Sequence, residues 1–235
     1  SKAKVLFYIS PKFERFLVAA TNNFNGHLMA LADVEGLELL AKREGGAWEY
    51  YDSDNDKEIQ GYHDKQLDPH IWLSPVNAQK LSLAIAKKLS RLYPDHRRHF
   101  LENAKKLNKQ IDDADKKIAR QLKSVQKKPF IVFHDAYQYF EKHYGLKGVG
   151  SISLEPNQSV SIKRVGEIRE KIKEQNVTCV FREPQFSGKL VKTVTDGTKA
   201  KIIELDPLGT LLDKNDSFYI KLLFSLKNNF SACLR

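Results

Sequence analysis

The chain has 235 residues, 41% of them hydrophobic, enough for two small lobes or one large domain around a real core. Its formal charge is +10, from 39 Lys and Arg against 29 Asp and Glu. The basic residues are dispersed along helical stretches without a basic–aromatic cluster, which argues against nucleic acid as a partner, and no apolar run approaches the length of a transmembrane helix.

In chain order, Val5–Ile9 reads as a buried strand, and Pro11 opens a helix with Phe13, Phe16, Leu17 and Ala20 on one face. From Asn22 to Glu44 the pattern is weak, with short strands or turns, and His27 reads as structural or surface. Residues 44–68 read as a solvated, mobile loop, carrying Asp52, Asp54, Asp56, Glu58, His63 and Asp64. Ser74 is a helix N-cap with Pro75 at the first helical position, and the helix runs to Leu92. After Pro94, apolar residues at threes and fours from Leu101 to Val125 predict one long helix over about 96–127. At 1.5 Å per residue it would span about 48 Å.

Pro129–Phe133 reads as a strand buried on both faces, followed by a helix with Ala136, Tyr139 and Phe140 on one side. Ser161–Gln175 is amphipathic. Strands at 177–181 and 201–205, a helix near 190–195 and a closing helix over 217–231 complete an alternation that predicts a mostly parallel sheet. The fold class is thus α/β, and over 96–127 the periodicity alone also permits a coiled coil.

Parallel strands ending at His134, at Arg182–Glu183 and at Leu205–Asp206 would bring His134, Glu183 and Asp206 to one carboxyl edge, where ligands bind in open α/β sheets. A further histidine, His70, lies in an apolar cluster just before the Ser74 N-cap. Imidazole nitrogen and carboxylate oxygen are the donors a borderline cation such as Zn²⁺ takes. The competing reading of each histidine is a ring satisfied by backbone at a strand or helix end. Cys179 and Cys233 lack Cys-x-x-Cys spacing, which argues against a cysteine-only metal site, and two buried free thiols fit the sequence by itself.

Four motifs appear in order: Asp-Pro-His-Ile-Trp-Leu-Ser-Pro at 68–75, Phe-His-Asp-Ala-Tyr-Gln-Tyr-Phe at 133–140, Val-Phe-Arg-Glu-Pro-Gln-Phe at 180–186 and Leu-Asp-Pro-Leu-Gly-Thr at 205–210. Together they resemble the zinc-binding periplasmic proteins (ZnuA type) of ABC importers. The resemblance implies an N-terminal lobe (1–95) and a C-terminal lobe (128–235) joined by a rigid spanning helix (96–127), a zinc site that includes His70, His134 and Asp206, and delivery of Zn²⁺ to an ABC importer permease at the membrane by a monomer. Relatives that carry manganese usually have Glu where His134 stands, so His134 favours zinc. The resemblance also implies a disulfide between Cys179 and Cys233, in keeping with an oxidising periplasm. Ser151 stands where some zinc relatives carry a histidine of an auxiliary site.

The sequence starts without Met and without a signal-peptide pattern. The resemblance implies an earlier strand and helix with a further histidine ligand ahead of Val5, and so an incomplete N-terminal lobe. Two other functions stay open: a zinc-dependent hydrolase with Glu183 as general base, and a non-functional fragment of the transporter component. No His-Glu-x-x-His motif supports the hydrolase, and Glu183 also fits a role in ordering the Glu183-Pro184 turn.

Overall fold

The computed structural model describes residues 3–43, 46–48, 67–153 and 160–235. The acidic stretch from Asp52 to Asp64, with His63, lies outside the described residues. The chain forms two compact units: Ser1–Leu40 with Leu67–Asp112, and Ala41–Gln66 with Asp113–Arg235.

In the first unit β1 (Val5–Tyr8) pairs in parallel with β2 (His27–Ala30), Val5 opposite His27. Between them lie a 3-10 turn (Arg15–Leu17) and a short helix α1 (Val18–Asn22). The helix expected from Pro11 is therefore displaced. The carboxylate of Glu14 accepts from the backbone N–H groups of Ile9 (2.6 Å) and Ser10 (3.1 Å). The Ser10 hydroxyl accepts from Phe13 N–H. These side-chain bonds satisfy the backbone in a turn before a helix can take it over, and Phe13 and Phe16 stay exposed.

Helix α2 (Pro75–Leu92) begins as read, the Ser74 hydroxyl accepting from Asn77 N–H at 3.2 Å. Asn77 is fully buried and clamps Glu38 in both directions. Its side-chain oxygen accepts from Glu38 N–H at 2.9 Å, and its amide donates to Glu38 O at 2.8 Å.

Helix α3 (Arg97–Leu122) follows a 3-10 turn at Pro94–His96, and the boundary between the units falls within it. It ends five residues before the expected Lys127. Val125 N–H bonds Leu122 O and Lys128 N–H bonds Val125 O, so the last residues wind as successive turns. The Leu122-to-Val125 spacing that reads as helix suits such turns equally well.

The second unit is built on a four-stranded, all-parallel sheet in the order β4-β3-β5-β6: β3 (Pro129–His134), β4 (Lys147–Ser153), β5 (Cys179–Arg182) and β6 (Lys201–Glu204). Helices α4 (Gln138–Tyr144), α5 (Ile162–Glu174) and α6 (Lys189–Thr195) form the crossovers, and α7 (Phe218–Leu234) closes the chain.

The apolar run of β3 is continuous because both faces are covered. Ile131 and Phe133 pack with Ile152, Ile168, Val180 and Val191 on one side. On the other, Phe130 and Phe181 meet Phe230 of α7 at ring separations of 5.1 and 4.9 Å. The Cys179–Cys233 disulfide, with Cα atoms 5.8 Å apart, joins β5 to α7.

Strand β4 is not among the strands expected from the sequence, since Gly148 and Gly150 give it no strand signature. Both glycines serve close packing instead. A Cβ on Gly148 would lie 2.9 Å from Cδ of Glu141, and one on Gly150 would lie 2.6 Å from Cβ of Ala47. Ile162, expected on the buried face of α5, points to solvent at 92% exposure.

Candidate metal centre

The sheet order fixes where chemistry belongs in the second unit. From β3 the chain crosses to the β4 edge, and from β5 it crosses the other way to β6. The topological switch point therefore lies between the carboxyl ends of β3 and β5. His134 is the last residue of β3, and Glu183 follows the last residue of β5.

Nδ1 of His134 lies 2.6 Å from Oε1 of Glu183, with both side chains buried. A carboxylate beside Nδ1 holds the ring proton there, so Nε2 of the neutral ring carries the lone pair. Tyr137, also fully buried, donates its hydroxyl to Leu205 O at 3.2 Å. Burial, with the nearby carboxylates of Glu183 and Asp206, pushes its pKa well up, so the phenol stays protonated.

Asp206 follows β6 in a turn closed by Gly209 at φ +63°, a left-handed conformation that glycine adopts without steric cost. The turn folds Thr210 back onto the carboxylate. Oδ2 accepts from Thr210 N–H (2.5 Å) and from its hydroxyl (2.6 Å), while Oδ1 accepts from the Gln185 amide (2.8 Å) and Leu208 N–H (3.0 Å). Burial alone would push this carboxyl up, but the hydrogen bonds outweigh it and hold the pKa below the usual carboxylate value. The charge is thus fixed in place, and both oxygens are already engaged by donors.

His70 belongs to the first unit. It precedes a 3-10 turn whose Ile71 and Leu73 are fully buried. Asp68, itself 2% exposed, bends back so that its Oδ1 accepts from His70 N–H at 3.0 Å and lies 2.7 Å from His70 Nδ1. The ring also contacts Trp72 and Phe13 at centroid distances of 5.3 and 6.5 Å.

Each candidate histidine thus has its Nδ1 held by a buried carboxylate. His143 is held in the opposite sense, its Nε2 lying 2.7 Å from Asp115. Within each unit, among the described residues, no three His, Cys, Asp or Glu side chains form a ready-made metal cluster. Ser151, at the position compared with an auxiliary histidine, is fully buried.

Sequence reading missed the roles of Asp68, Gln185 and Thr210. The Asp-x-His spacing is the available signal for Asp68, whereas Gln185 and Thr210 meet Asp206 only through folding. Glu183 takes part in its turn through Phe186 N–H, which bonds Glu183 O at 3.2 Å, and its carboxylate also meets His134 Nδ1.

Residues 1–233 match the family model described as "Zinc-uptake complex component A periplasmic" (ZnuA). The chain belongs to this family. The high-affinity zinc uptake system protein ZnuA of Brucella abortus strain 2308 is 39% identical over 257 residues, covering 99% of this chain and 77% of that protein. A crystal structure of ZnuA superposes with a TM-score of 0.80 at 25% identity, covering all of this chain and 81% of that one. The laminin-binding adhesin Lmb of Streptococcus agalactiae, in a mutant structure, gives 0.79 at 26% identity, covering all of this chain and 82% of that one.

ZnuA-family proteins are periplasmic solute-binding components of zinc uptake that work with an ABC transporter, which is not a catalytic role. No helix among the described residues is long and apolar enough to cross a membrane.

Proposed function

We propose that this chain captures Zn²⁺ in the periplasm through Nε2 of His70, Nε2 of His134 and the carboxylate of Asp206, and delivers it to an ABC importer. The observation that carries this reading is the matched support of the two histidines. Asp68 and Glu183 each hold an Nδ1 at 2.6–2.7 Å, the arrangement in which a carboxylate orients a ligating imidazole and raises its basicity. Asp206 adds a carboxylate whose charge is already secured, so no proton need be displaced from it at neutral pH.

The role is non-catalytic. A hydrolase would need Glu183 free to take a proton from a metal-bound water, and Glu183 is 1% exposed and occupied by His134. The chain acts as a monomer and presents zinc directly to the permease.

Competition titration against a chromogenic chelator tests the site. His70→Ala and His134→Ala should each weaken Zn²⁺ binding at least tenfold, in line with the 10–100-fold cost of disturbing even an outer-shell partner. Asp206→Asn should weaken it less, because its oxygens already share four donors. Wild-type affinity in His134→Ala would remove the site.

A further inference from the structure

Arg43 lies far from the candidate ligands in sequence and is held by two carboxylates and an aromatic ring. Its Nε lies 3.0 and 2.9 Å from the two carboxylate oxygens of Asp135, and its Nη2 also bonds Asp135. Nη1 and Nη2 reach the two oxygens of Glu141 at 2.7 and 3.0 Å. The guanidinium carbon sits 3.5 Å from the centroid of the Trp48 ring. Around this grip, the Gln138 amide donates to Ala41 O at 2.9 Å and the Arg164 guanidinium donates to Ala47 O at 2.5 Å.

Asp135 is the central residue of a three-residue turn in which Ala136 N–H bonds His134 O at 2.9 Å. The residue that Arg43 clamps is therefore joined covalently to His134, in the turn that sets how the ring leaves the sheet. A planar guanidinium bonded in pairs to two carboxylates fixes direction as well as distance, which a lysine ammonium would not do.

We propose that Arg43 is a positioning residue of the zinc site, acting through Asp135 on His134. The proposal rests on His134 being a zinc ligand.

The test uses the full chain and the variants Arg43→Ala, Asp135→Asn and His134→Ala. Asp135→Asn keeps the shape of the turn and leaves Arg43 paired with Glu141, so it decides the question even if Arg43→Ala fails to fold. Two readouts are taken: Zn²⁺ affinity by chelator competition, and the visible ligand-field bands of bound Co²⁺, which report the angles between ligands. Asp135→Asn, and Arg43→Ala where folded, should bind Zn²⁺ about tenfold more weakly and shift the Co²⁺ bands, with native circular dichroism. Unchanged affinity and unchanged bands in Asp135→Asn, with binding lost in His134→Ala, would overturn the role of Arg43 alone. Unchanged binding in His134→Ala would instead overturn the site, and this proposal with it.

Discussion

Oε1 of Glu183 lies 2.6 Å from Nδ1 of His134, across the switch point of the parallel sheet. With Glu183 1% exposed, this bond fixes the tautomer of the ring from within the core. Glu183→Gln keeps the shape and an acceptor oxygen but loses the charge, and should weaken Zn²⁺ binding about tenfold. Glu183→Ala frees the ring as well and should cost closer to a hundredfold. Asp68→Asn should match Glu183→Gln, since Asp68 holds His70 in the same way. Chelator competition measures all three, and affinities equal to wild type would mean that neither carboxylate supports a ligand.

Much of this arrangement is legible in the sequence, for identifiable reasons. Strand β3 announces itself because a strand covered on both faces needs consecutive apolar residues, and Phe130–Phe133 supply them. Its end at His134, and those of β5 and β6 near Glu183 and Asp206, follow from where apolar residues give way to polar ones. Strand β4 is hidden because Gly148 and Gly150 are chosen for close approach and not for strand propensity. The pairing of Arg43 with Asp135 and Glu141 joins residues 92 and 98 positions apart. No local pattern encodes such a contact. The displaced first helix shows the converse, a regular apolar spacing at Phe13, Phe16 and Leu17 overruled by the short-range bonds of Glu14 and Ser10.

Gly150→Ala probes the packing of the 46–48 segment on the sheet. The added Cβ would meet Cβ of Ala47 at 2.6 Å and its carbonyl oxygen at 3.2 Å, and Ala47 is itself held by Arg164. Overpacking of this kind costs about 1–3 kcal/mol, a fall in Tm of roughly 2–10 °C for a chain of this size. Differential scanning calorimetry checks it, and an unchanged Tm would show that the segment gives way freely.

The contact between Asp115 on α3 and His143 on α4 predicts a pH dependence. Burial pushes the Asp115 carboxyl up, but the His143 hydrogen bond, the neighbouring Tyr144 hydroxyl and the charges of His143 and Lys116 together outweigh it and hold the pKa below the usual carboxylate value. The folded chain therefore binds this proton less readily than the unfolded chain. Its stabilising contribution is complete above about pH 4, the unfolded value, and is lost as the pH falls through the lower folded value. Asp115→Asn should be less stable than wild type at pH 5–6, and the gap should close below about pH 4. Urea denaturation at a series of pH values measures this, and a gap that stays constant to pH 2 would sink it.

The Cys179–Cys233 disulfide should matter for stability and leave zinc binding almost untouched. It closes a loop of 54 residues, for which the chain-entropy model gives about 4 kcal/mol. Cys179 is the first residue of β5, whereas Glu183 follows its last. At about 3.3 Å per residue these lie roughly 13 Å apart along the strand, so the bond anchors the end of the sheet remote from His134. The double variant Cys179→Ala with Cys233→Ala should therefore lose roughly 10 °C in Tm. Its Zn²⁺ affinity, measured below the new transition, should stay within about threefold of wild type, a difference near 0.7 kcal/mol. A large loss of affinity in a variant that is still folded would mean that the position of Glu183 depends on the far end of its strand, and that the His134 support is less locally determined than its geometry implies.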